Sequence, residues 1–270
     1  MSCRHHTSRK SLIRGMAILC VVTASILACS ETTPTAAPVD RSGTFYANAT
    51  TSMVAGSGRA YITLDAAGAP TELGLAITEA ALTALPTTNA EYVFTLPSQA
   101  SVTAYQHAVV NWVPTGHEPT PYLVPHFDVH FYMISGQARN AITPADPAYA
   151  TKLALQPPAN FLPAGYVMDM GMPRMGMHWL DAASPELSGQ PFTSTYLYGS
   201  YDGKITFVEP MIAKSYLDSK PSLVKRSVTL PQLGSTTGYQ ATGYSIVYDE
   251  TKHEYRIALV DFVRVVATVP

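Results

Sequence analysis

Between residues 125 and 134 the chain alternates strictly. Phe127, Val129, Phe131 and Met133 occupy one set of positions and His126, Asp128, His130 and Tyr132 the other. A period of two predicts a β-strand with one apolar face and one face of imidazole, carboxylate, imidazole and phenol. The alternating run 107–113 predicts an antiparallel neighbour across the loop 114–125. Further strands are predicted at 58–65, 72–77 and 91–96. Residues 193–201 and 204–209 flank Asp202-Gly203, a dipeptide suited to a type I′ hairpin turn, and Pro210 is expected to stop the second strand. A last hairpin joins 243–248 to 253–266, whose apolar end reads as a central strand. Helical signals are short: 78–82 with Thr78 as N-cap, 146–155, and a turn or two at 212–217. The Pro- and Met-rich stretch 156–175 is expected to be irregular. Strands dominate, so the expected fold is all-β with a few short helices, an antiparallel sandwich or barrel formed by residues 41–270 as a single domain.

The N-terminus follows another pattern. Arg4, Arg9, Lys10 and Arg14 precede an apolar run from Met16 to Ala28, the length of a signal-peptide core and short for a bilayer span. Its end, Ile26-Leu27-Ala28-Cys29, resembles the lipobox of bacterial lipoproteins. The resemblance implies cleavage after residue 28, lipidation of Cys29, and a flexible tether over 29–40. An ordinary cleaved signal with a stray Cys is the alternative. Ser30 in place of Asp implies the outer membrane if the host has two membranes. The expected location is therefore the cell envelope, with the membrane as partner through the lipid anchor.

Composition narrows the chemistry. The three Cys are Cys3, Cys20 and Cys29, so the mature domain has neither thiolate ligands nor disulfides. Removing the four basic residues of the leader leaves 13 basic against 19 acidic groups, and no basic patch that nucleic acid would need. No nucleophile elbow or phosphate-binding glycine loop is present.

Five of the six mature histidines, His107, His117, His126, His130 and His178, fall within 72 residues. Imidazoles with carboxylates and no thiolate suit zinc, iron, manganese or copper. The candidate ligands are His126, Asp128, His130 and His178, with His117, Glu118 and Glu209 as secondary candidates. At ~3.3 Å per residue, His126 and His130 stand ~13 Å apart along a straight strand, too far to share one ion comfortably. The alternative is a buried hydrogen-bonded network without a ligand, in a non-enzymatic envelope protein that is monomeric or homo-oligomeric. A third reading is Cu(I) binding by the thioethers of Met168, Met170, Met172, Met175 and Met177, set against their use as packing.

Several stretches carry a resemblance. They are Asn111-Trp112, Gly116-His117-Glu118-Pro119, the 125–132 strand, Met175-Gly176-x-His178-Trp179, Gly189-Gln190-Pro191-Phe192-Thr193 and Glu209-Pro210-Met211-Ile212. Over about residues 85–265 the chain resembles a family of exported bacterial proteins known as a domain of unknown function. The resemblance implies export and supports the histidine list, and it names no reaction.

Overall fold

The computed structural model describes residues 40–232, 234 and 236–268. The expected signal peptide, Cys29 and most of the tether lie outside the described residues. Among the described residues fourteen strands form: β1 (Gly43–Tyr46), β2 (Thr51–Met53), β3 (Gly56–Leu64), β4 (Pro70–Thr78), β5 (Ala90–Thr95), β6 (His107–Val113) and β7 (His126–Tyr132) come first. They are followed by β8 (Tyr166–Met172), β9 (Gly176–Asp181), β10 (Ser194–Tyr201), β11 (Lys204–Ala213), β12 (Ser222–Ser227), β13 (Gly238–Asp249) and β14 (Glu254–Val265). Among the described residues three short α-helices interrupt them: α1 (Gly136–Asn140), α2 (Tyr149–Ala154) and α3 (Lys214–Asp218).

The strands make two seven-stranded antiparallel sheets. The first runs β1-β3-β4-β14-β13-β12, with β2 added on β3; the second runs β5-β6-β7-β11-β10-β9-β8. Neither sheet closes, so the sandwich form of the expectation holds and the barrel does not. β14 is central, as its apolar run predicts. The shared core takes Ile62, Leu73, Leu75 and Ile257 from the first sheet and Phe94, Val110, Phe127, Val129 and Phe131 from the second. Each such side chain contributes about 1.5–3 kcal/mol by leaving water, which is how a domain without disulfides holds together.

Four local expectations change. The stretch 156–175 is not irregular throughout, because β8 pairs with β9 despite a bulge between Met168 and Gly171. Thr78 does not cap a helix; its Oγ1 exchanges hydrogen bonds with the Ser57 backbone at 3.0 and 3.1 Å, and only a 3₁₀ turn, Glu79–Leu82, follows. The helix expected at 146–155 is confined to α2. Pro210 does not end its strand. β11 continues to Ala213, and its ladder with β7 pairs Phe207 with Tyr132 and Val208 with Phe131, then resumes at Met211 with Asp128. A proline has no N–H for the ladder, and the gap falls where Glu209 comes beside His130.

The turn chemistry is as expected at the β10–β11 hairpin, where Asp202 and Gly203 both have positive φ, 53° and 71°. β6 pairs with β7 as expected, in a register that sets Val109 facing His130 and Asn111 facing Asp128. That register fixes the polar row of β7 on the face of the second sheet away from the core.

Candidate metal centre

The polar row is buried, although it faces away from the core. His126 and His130 are fully inaccessible, and Asp128, His178 and Glu209 are at most 6% exposed. Two apolar clusters flank the row on this outer face. One contains Tyr122, Phe192, Leu197 and Met211; the other contains Val109, Tyr132 and Phe207. The 114–125 loop and the β8–β9 hairpin complete the enclosure, leaving a cavity of about 500 Å³. His117, Asp128, His178 and Glu209 line it, together with Asp169, Asn111 and Trp112.

The row does not form one cluster. It divides into two triads, each of two histidines and one carboxylate: His117, His126 and Asp128, and His130, His178 and Glu209. In each, one donor atom per residue lies within 4.8 Å of the other two. The division follows from strand geometry, since alternate residues advance ~6.6 Å and residues four apart ~13 Å. His126 and His130 therefore serve different triads. His117 and Glu209, secondary candidates by sequence, are full members. Glu118 is not, for its side chain is exposed and only its backbone carbonyl takes part.

The imidazoles are oriented from behind. The Nδ1 atoms of His117, His126 and His178 lie 2.7, 2.8 and 3.0 Å from the backbone carbonyls of Glu118, Val124 and Met170. A carbonyl can only accept, so each Nδ1 carries a proton, which leaves Nε2 as the nitrogen facing the triad. This is the arrangement that holds a metal-ligating histidine in place.

Two members of each triad hold donor atoms that lack other partners. His126 Nε2, Asp128 Oδ1, both nitrogens of His130 and Glu209 Oε2 are buried without an aligned hydrogen bond. An orphaned buried polar group costs about 1–3 kcal/mol, more when charged. The spacings suit a shared ion: His130 Nε2 and His178 Nε2 stand 3.5 and 3.7 Å from Glu209 Oε2, and His126 Nε2 stands 3.1 Å from Asp128 Oδ1. Bonds of ~2.0–2.2 Å at tetrahedral angles set donors about 3.3 Å apart. His117 Nε2 is further from Asp128 Oδ2, at 4.0 Å.

Burial and charge act in opposite directions here. Burial would raise the Asp128 carboxyl, but His126, with help from His130 and His117, brings it below its ordinary value. Burial would lower His126, and the adjacent Asp128 outweighs that and raises it. Burial pushes His130 down to about 3, and His178 also falls. Burial, then Asp128 and Asp169, push Glu209 well above the carboxylate range. Burial likewise raises Asp169. In the second triad burial thus disfavours the charged form of both imidazoles and of the carboxyl.

Other groups border the centre that the sequence pattern does not single out. Arg139 of α1 is 3% exposed, lies over the Tyr132 ring, and pairs with Glu91 at 2.6 Å. Arg174, in the β8–β9 turn, reaches the same carboxylate at 2.8 Å. Asp169 lies on β8. Each is a lone charged residue in the sequence, and only the high β-propensity of its surroundings at Glu91 hints that a charge there faces something. His107, by contrast, joins neither triad and stacks on Tyr132 at 4.8 Å. Of the methionines, Met170, Met172 and Met175 line the cavity.

Comparison with known proteins adds little chemistry. No curated protein and no solved structure matches the chain. One family model does, described as "TTHB210-like: Hypothetical protein TTHB210", over residues 65–112. The matched segment includes Glu91, His107 and Asn111 but none of the six donors, and what it supports is similarity to an uncharacterised family.

Proposed function

We propose that this protein binds divalent transition-metal ions, one in each triad, at the base of the cavity. The observation that carries the reading is that in each triad of ligand spacing two members hold buried donor atoms without hydrogen-bond partners. A purely structural network would satisfy its own members, and His130 has neither nitrogen satisfied. Two histidines and one carboxylate suit zinc, and equally non-haem iron or manganese; copper is served by imidazole and by the thioethers of Met170, Met172 and Met175 at the cavity wall. The leader sequence supports export and attachment to the envelope through a lipidated Cys29, where such ions are encountered outside the cytoplasm.

Elemental analysis by mass spectrometry on untagged protein, purified without chelator, tests the reading. The expected result is near two equivalents of one transition metal, falling to about one when His130 is changed to Ala. Protein that is metal-free as purified, and again after incubation with zinc, iron, manganese or copper and dialysis, overturns it.

A further inference from the structure

We propose that the cavity above the triads is a hydrolytic site for neutral, apolar carboxylic esters, with Asp169 as its proton-accepting residue. The inference rests on the metal reading above and adds a reaction to it.

Three protein donors would leave a coordination position of a bound ion open, the pattern of catalytic rather than structural sites. Here His117 and Asp128 of one triad and His178 and Glu209 of the other line a cavity of about 500 Å³, room for a small organic molecule. The walls select the substrate. Trp112, Met170, Met172, Met175 and Leu197 offer apolar contact. Arg174 is the one cationic side chain among the lining residues, and Glu91 holds its guanidinium at 2.8 Å. A phosphate ester would find no uncommitted cation on the protein, whereas an acyl chain would find surface.

Asp169 supplies what the triads lack. It lines the cavity from β8, belongs to neither triad and makes no ion pair among the described residues. Bound cations supply polarisation of the carbonyl and of water. Water attacks the ester carbonyl carbon while Asp169 takes its proton. The bond from that carbon to the alcohol oxygen then breaks, and the proton passes from Asp169 to the departing alkoxide. One water is consumed, and one carboxylic acid and one alcohol are released.

The test uses metal-loaded protein with 4-nitrophenyl butyrate, bis(4-nitrophenyl) phosphate as competitor chemistry, and calorimetric binding of butyrohydroxamic acid. Metal-dependent turnover of the butyrate ester above that of the phosphodiester is expected. Asp169→Asn should lower kcat by roughly 10²–10⁴-fold, the usual worth of a general base. It should keep its full metal content and bind the hydroxamate as tightly as the unaltered protein. Fully loaded protein that leaves the ester intact, prefers the phosphodiester, or is indifferent to Asp169→Asn overturns the inference while the metal reading stands. Protein that never takes up metal overturns both.

Discussion

His126 Nε2 lies 3.1 Å from Asp128 Oδ1, two residues along one strand, and the two are not aligned as a hydrogen bond. Each nevertheless shifts the other's titration, through their close contact first and their charges second. Burial alone would lower the imidazole, and Asp128 reverses the sign. In chelator-treated protein, Asp128→Asn should therefore move the His126 titration from above the ordinary histidine value to below it. NMR titration of the imidazole resonances reads this directly, and an unmoved His126 would dissolve the pair.

His130 makes the opposite case, a buried imidazole with no partner on either nitrogen, packed edge-on against Phe207 at 4.8 Å. His130→Leu should stabilise the metal-free protein by about 1–3 kcal/mol, because it removes an unsatisfied group from an apolar setting. The same change should abolish the stabilisation that added metal gives through the second triad. Chemical denaturation with and without metal measures both. A destabilised apo-variant would mean that His130 serves the fold.

Much of this architecture is legible in the sequence, for reasons that differ by element. The 126–132 strand announces itself because alternation of large apolar and polar groups has no other regular solution. The rise per residue of a strand is then enough to separate His126 from His130. The split into two triads is not legible, since it depends on where β11 places Glu209 and on the 114–125 loop returning His117 over Asp128. Pro210 misleads because a proline commonly ends a strand, yet here the ladder opens around it. β8 is hidden because Gly171 and its methionines have weak strand propensity, and its pairing with β9 overrides that.

His107 ties stability to pH outside the triads. It is 8% exposed, and burial pushes it down to about 4. In the unfolded chain it titrates at about 6.5. Above that pH both states leave it neutral and its contribution is complete. Between 6.5 and 4 the unfolded state binds the proton first, so stability falls as the pH drops, by about 3 kcal/mol across the window. His107→Phe, which can keep the stacking on Tyr132, should flatten this part of the profile. Urea denaturation of both proteins from about pH 7 to pH 4 checks the slope, and parallel curves would refute the assignment.

The triads should also be separable through two glycines that are not ligands. At Gly116, φ is +69° and an added Cβ would meet the Tyr122 carbonyl oxygen at 2.1 Å, so Gly116→Ala strains the loop that delivers His117. At Gly199 a Cβ would fall 1.9 Å from the Phe207 ring, and that ring packs on His130 at 4.8 Å and on His178 at 5.2 Å. Gly116→Ala should thus empty the triad of His117, His126 and Asp128, and Gly199→Ala the other. Each variant should retain about one metal equivalent where the unaltered protein holds about two. Far-ultraviolet circular dichroism confirms that the sheets persist, and the metal-to-protein ratio gives the answer. Loss of all metal from either folded variant would show that the two triads bind as one inseparable unit.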